Sequence, residues 1–270
     1  MVSAIESAGA IAAMTAVVCG TAALGLEAKE LERFLRRDGV RKVSARDLGA
    51  AVAQRIDGAT TVAATLSIAS QAGVRVMATG GIGGVHRALP ERDRRHWSAG
   101  PVRDESADLH ELARTPMVVV CSGAKSILDL PATWERLDTL GVPVVGFCTD
   151  ELPAFFAATS GIDLTTRADT PEDVAAIASA HFALGRQQSV LVVQPPPPEV
   201  ALQAETVDRA VHAALAGAER DGVRGAEVTP YLLAAVARET GGRTLEANLS
   251  LLEANARLAA AIGVTLAAKV

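Results

Sequence analysis

The sequence predicts an α/β fold of three layers, α/β/α, around a mostly parallel sheet with a C-terminal helical element. Two patterns predict it. Short apolar runs alternate with amphipathic stretches along most of the chain, the signature of strands joined by helical crossovers. From Thr229 onward the pattern is helical only, with Leu232, Leu233, Val236, Leu245, Leu249, Leu252 and Leu258 at core spacing. With 270 residues, 49% hydrophobic and 21% charged, the chain can bury a large core, and residues 1–270 read as a single domain.

The first element needs a decision. Ala8 to Leu26 is uncharged and mostly apolar, long enough to raise a membrane question, but it is rich in Ala and Gly. The residues before it carry Glu6 and no Lys or Arg, contrary to a signal sequence. It reads as a helix end, a buried strand at Ala13 to Cys19 and a turn at Gly20, not as a membrane segment. Further strands are expected at Val74 to Thr79, Met117 to Cys121, Pro143 to Cys148 and Ser189 to Gln194, all rich in β-branched residues. Helices are expected at Leu26 to Arg37, Thr65 to Ala72, Pro171 to Leu184 and Glu205 to Asp221. Pro195 to Pro198 is a rigid surface connection.

Charge and cysteine usage narrow the function. A net charge of −5 with interspersed signs argues against nucleic-acid binding, which needs a basic face to release counterions, and favours small-molecule ligands. Cys19, Cys121 and Cys148 lie in or beside apolar runs without CxxC spacing, which reads as reduced, buried thiols of a cytoplasmic protein and not as a zinc site.

The most informative stretch is Ser106 to Leu130, SADLHELARTPMVVVCSGAKSILDL, which sets Lys125 where a buried strand gives way to resumed helical spacing at Ser126. Near a helix N-terminus, in dry surroundings, the ammonium is disfavoured and a neutral amine can attack a carbonyl to form an imine. Of 26 Lys and Arg residues only Lys29, Lys42, Lys125 and Lys269 are lysines, so a lysine kept in a buried turn suggests a need for a titratable amine. The alternative reading is an amine that snorkels to the surface or pairs with Asp108 or Asp129.

Other constellations are weaker. Thr79 to Arg87, TGGIGGVHR, packs four glycines beside His86 and Arg87; their amides and the Arg fork suit a phosphate, and a tight structural turn suits the glycines equally well. Asp104, Ser106 and Asp108 are hard oxygen donors fit for Mg²⁺ or Mn²⁺, or else ordinary helix-capping residues. Lys42 reads as a solvated charge, and Asn248 and Asn255 share one helical face where amides among leucines need partners or ligands.

Taken together, KVSARDL, GATTVAAT, ATGGIGGVHR, SADLHELA, VVVCSGAKSILDL, LPAFF, TPYLLAAVARETGG and EANLSLLEANARLAA resemble the pseudouridine-5′-phosphate glycosidase family from about Ile5 to Ala261. The resemblance implies reversible cleavage of the C–C bond between uracil and ribose 5-phosphate through a lysine imine, with a divalent metal, typically manganese. It puts Lys125 on the imine lysine, Asp104 on the metal aspartate, and Lys42, Val62, Ser106, Asp108 and Asn248 on substrate contacts. It further implies an α/β/α homotrimer. The first residues align on a family segment that normally follows about fifty further residues. That additional part carries the family's general acid, a glutamate whose setting Glu6 resembles only superficially. Ala88 to Val102, ALPERDRRHWSAGPV, is longer and more basic than the family connection and reads either as a lid that changes the acceptor or as a solvated loop. Two other readings therefore stand beside the glycosidase: a C-ribosyl synthase for a different aromatic acceptor, and an inactive sugar-phosphate binder.

Overall fold

The computed structural model describes residues 1–87, 104–223 and 228–268. Its centre is a five-stranded, fully parallel sheet in the order β10-β9-β11-β7-β5, built from β5 (Val76–Ala78), β7 (Val118–Cys121), β9 (Val144–Phe147), β10 (Arg167–Ala168) and β11 (Val190–Val193). Alternation along the central strands makes the three layers. Val119, Cys121, Leu191 and Val193 face one side; they pack with Leu66, Leu109, Leu112, Leu137, Val211 and Leu232. These come from α4 (Val62–Gln71), α5 (Ala107–Leu112), α6 (Leu130–Thr139), α8 (Ala204–Arg220) and α9 (Val228–Glu239). Val118, Val120, Val190 and Val192 face the other side and meet Val174 and Ala178 of α7 (Pro171–Ala183) and Leu258 and Ile262 of α10 (Arg243–Ala267). Side chains that alternate with period two can satisfy both faces only when helices cover both, as the apolar runs required.

The strand expected at Ala13 to Cys19 forms as β1 (Thr15–Val18), but outside the parallel sheet. A second, mixed sheet has the order β2-β1-β4-β3, with β2 (Thr21–Leu24), β3 (Arg41–Val43) and β4 (Gly58–Thr60). β1 and β2 form a hairpin whose two-residue turn, Cys19 at φ 48° and Gly20 at φ 83°, has both residues left-handed, the conformation that matches strand twist. Val17, Val43 and Ala51 make its small separate core. α1 (Val2–Ser7), which carries exposed Glu6, packs on α10. α10 is long and apolar enough to cross a membrane by length and composition, yet Leu251, Ala256 and Ile262 are wholly buried among other elements.

Two expectations are corrected. The cysteines are not all buried: Cys121 is, but Cys19 and Cys148 are exposed, because both take left-handed turn positions just beyond strand ends, where side chains leave the core. Nor does a helix start beside Lys125. A turn and the short strand β8 (Leu128–Asp129) intervene, because β8 pairs with β6 (Val85–His86), and α6 begins only at Leu130 with Asp129 as its cap.

Candidate active site

The site forms at the carboxyl ends of β5 and β7, where open parallel sheets place ligands. The pairing of the two strands continues past their ends. Ser122 N donates to Gly80 O at 2.9 Å, Ile82 N to Gly123 O at 3.1 Å and Lys125 N to Ile82 O at 3.1 Å. This ladder carries Lys125 into a half-buried turn where its Nζ donates to the carbonyl oxygen of Gly81 at 2.9 Å. The glycines here answer to close approach. A Cβ on Gly81 would lie 2.6 Å from the Phe155 ring, and one on Gly83 would overlap Ser106 Oγ and lie 2.8 Å from Asp108 Oδ2. Gly123, at φ 84°, combines left-handed backbone with contact to Pro153 O.

Lys125's amine is held below the ordinary lysine range, first by burial and then by the nearby Lys42 charge, while Asp108 acts in the opposite direction. The helix end that the sequence suggested plays no part, since Asp129, not Lys125, caps α6. Cys121, wholly buried beneath the turn, has its thiol pushed up to about 12 by burial and stays a thiol.

Asp108 is the second fixed point. It is 5% exposed, and its two oxygens accept from Ala63 N at 2.9 Å and Gly83 N at 2.8 Å, tying the start of α4 to the glycine segment. Ser106 caps α5, its Oγ accepting from Asp108 N at 3.2 Å. Parallel pairing of β3 with β4 sets Lys42 opposite Ala59, two residues before the Thr61 cap of α4 and three before Val62. Asn248 reaches the same place from α10, its Oδ1 lying 3.4 Å from the Cβ position of Gly80. Lys125, Lys42, Asp108, Ser106, Val62 and Asn248 are thus brought together from five separate stretches of chain.

In the glycine segment before His86 and Arg87, the Gly83 amide donates to Asp108 and the Ile82 amide to Gly123 O. Arg87 donates from Nε to Leu128 O at 3.1 Å and pairs with Asp208 at 3.2 Å. It lines a cleft of about 340 Å³ with Lys125, Ser126, Thr159 and Asp208. His86 N donates to Asp104 O at 2.9 Å, and the Asp104 residue is exposed. Among the described residues no group of three or more His, Cys, Asp or Glu is arranged to hold a metal ion. Ala88 to Val102 lies outside the described residues.

Sequence reasoning gave Asn248 the leading polar role on α10, whereas Asn255 is the residue wholly buried there. Its Nδ2 donates to Thr79 O at 2.9 Å and Ser122 Oγ at 3.2 Å, and its Oδ1 accepts from Gln194 Nε2 at 2.7 Å. Ser122 and Gln194 each follow the last residue of a parallel strand, a position whose polar side chains warrant attention in any open α/β sheet.

Comparison with known proteins identifies the family. The family described as indigoidine synthase A like protein matches residues 1–265. The pseudouridine-5′-phosphate glycosidase of Gemmatimonas aurantiaca is 59% identical over 266 residues, covering 98% of this chain and 83% of that protein. The Herpetosiphon aurantiacus glycosidase is 49% identical over 262 residues, covering 97% and 83%. Among solved structures, the prealnumycin C-glycosynthase AlnA, in complex with ribulose 5-phosphate, superposes with a TM-score of 0.88 at 40% identity, covering 99% of this chain and 85% of that one. An indigoidine synthase A-like protein from Thermotoga maritima superposes at 0.86 and 36% identity, covering 98% and 84%. The chain therefore belongs to the indigoidine synthase A-like family, which includes the pseudouridine-5′-phosphate glycosidases.

Proposed function

We propose that this chain makes or breaks the C–C bond between a base and ribose 5-phosphate, holding the opened sugar as an imine on Lys125. The observation that carries the reading is the Lys125 amine, which Gly81 O orients and whose affinity for a proton burial and the Lys42 charge lower. In the cleavage direction the neutral amine bonds to C1′ of the sugar as the ring oxygen departs as a hydroxyl. The nitrogen lone pair then forms C1′=N while the electrons of the C–C bond pass to the base carbon, which takes a proton. Water hydrolyses the imine, returning ribose 5-phosphate and the free lysine. In a C-glycoside the base is joined through carbon, and formation of C1′=N lets the nitrogen lone pair drive that bond apart.

In this reading Lys42, Val62, Ser106, Asp108 and Asn248 contact substrate, with Asp108 also fixing the amides of Ala63 and Gly83. Arg87 and His86 border the approach. Asp104, an exposed carboxylate and a hard oxygen donor, would hold a divalent ion such as Mn²⁺. That ion, when bound, supplies positive charge for developing oxyanions. We place the protein in the cytoplasm on its three free thiols and as a homotrimer on the exposed Leu245 and Leu249 of α10.

The test is incubation with ribose 5-phosphate, borohydride reduction and intact mass, beside Lys125→Ala. A mass gain confined to the unsubstituted chain is expected; no gain overturns the catalytic reading. The 40% identity to AlnA, a C-glycosynthase, favours a second reading in which the reaction runs toward synthesis on another aromatic acceptor. Turnover with uracil beside a panel of aromatic acceptors separates the two.

A further inference from the structure

We propose that Asn255 is a positioning residue for Lys125, fixing the lysine turn by clamping the ends of three parallel strands through one buried side chain. The proposal rests on the imine reading of Lys125, but its geometry is independent of any substrate.

Asn255 sits in the middle of α10 with no exposed surface. Its amide reaches three strands at once. Nδ2 donates to Thr79 O at 2.9 Å beyond β5 and to Ser122 Oγ at 3.2 Å beyond β7; Oδ1 accepts from Gln194 Nε2 at 2.7 Å beyond β11. Nδ2 also lies 3.4 Å from Gly80 O, the acceptor of Ser122 N. A buried amide satisfied on both ends by separate elements specifies their arrangement far more sharply than apolar contact does.

The next rungs of the same ladder reach the lysine. Gly80 precedes Gly81, whose carbonyl holds Nζ, and Ser122 precedes Gly123, whose carbonyl accepts from Ile82 N. Lys125 has therefore two tethers, its own N to Ile82 O and its Nζ to Gly81 O, and both acceptors belong to the segment that Asn255 pins at Thr79 and Gly80. Phe155, at φ 64°, packs close to Gly81, its ring 2.6 Å from the Cβ position there. Among the described residues the groups that act on the Lys125 charge are Asp108, Lys42 and the Cys121 thiol, and Arg87, Glu205 and Asp208 line the cleft beside it; none of these lies on α10. A neutral substitution at Asn255 thus alters the lysine's surroundings only by moving its turn.

The experiment is trace acetylation of the full chain over a pH series, with each lysine read by peptide mass spectrometry and exposed Lys29 as internal reference. The variants are Asn255→Leu, neutral and of similar volume, and Asn255→Ser, which leaves room for a water to satisfy Thr79 O and the Gln194 amide. Ile262→Val, a core change on the same helix, controls for general loosening. We expect the Lys125 labelling midpoint to move up toward the ordinary 10.5 of lysine in both Asn255 variants and to stay put in Ile262→Val. Borohydride trapping of ribose 5-phosphate at neutral pH should fall roughly 10- to 100-fold. A folded Asn255 variant with unchanged Lys125 midpoint and unchanged trapping overturns the proposal. If the midpoint moves but the unsubstituted chain traps no sugar, the positioning role stands and the imine reading falls.

Discussion

Lys125 donates from Nζ to the carbonyl oxygen of Gly81 at 2.9 Å, and Asp108, the carboxylate nearest in effect, spends both oxygens on backbone amides. Among the described residues no carboxylate forms an ion pair with the lysine. A carbonyl accepts from an amine or an ammonium, so the bond orients Nζ without forcing the charged form, and burial decides the balance.

The first consequence is a pH profile. The neutral amine attacks, so trapping of ribose 5-phosphate should rise with pH through a midpoint below the ordinary 10.5 of lysine. The linkage has a fixed sign. The unfolded chain binds the lysine proton more tightly than the folded one, so folding stability falls as pH drops below 10.5 and levels off below the folded value. Lys125→Met should abolish trapping and remove that part of the pH dependence, read by denaturation at several pH values. A trapping midpoint at or above 10.5 contradicts this account.

Asp108→Asn replaces an acceptor of two buried amides by a group that must turn one donor toward another. A loss of roughly 2–4 kcal/mol in folding stability is expected in urea titrations. Removing its charge should also lower the Lys125 labelling midpoint further, since Asp108 raises it now.

Gly83→Ala would set a methyl against Ser106 Oγ and Asp108 Oδ2 and should cost at least about 1–3 kcal/mol, with imine trapping reduced alongside. Gly49, in α3 (Leu48–Ala53), has nothing within 4 Å of its Cβ position, and Gly49→Ala should be neutral or stabilising by up to about 1 kcal/mol. Equal melting temperatures for the two variants would refute the packing argument.

Thr133, 1% exposed on α6, accepts from Val85 N at 2.9 Å and donates to Asp129 O at 2.7 Å, so it secures β6 just before His86 and Arg87. Thr133→Val keeps the shape and strands the Val85 amide. Denaturant unfolding should register a loss of about 1–3 kcal/mol.

Asp104→Asn tests the metal. Activation by Mn²⁺ should weaken while borohydride trapping on Lys125 persists, because the exposed carboxylate is not among the groups acting on the lysine. Loss of trapping without any change in metal dependence argues for a structural aspartate.

The sequence by itself determined the layered architecture, because Val118 to Cys121 and Val190 to Val193 are apolar on both faces and such strands are stable only between two helical layers. It also singled out Lys125, a lone lysine beside a buried strand, and through long motifs the residues around it. Only the tertiary structure decided what surrounds that lysine. The helix expected next to it gave way to β8, because Leu128 pairs with His86, a partner some forty positions away that no local pattern registers. The same is true of Asp108, which reads as a helix-capping carboxylate but bridges Ala63 and Gly83, and of Asn255, one of two asparagines on a helix until three strand ends meet at its amide. Periodicity reports which face of an element is apolar; which buried polar group answers which is fixed only when distant segments close on each other.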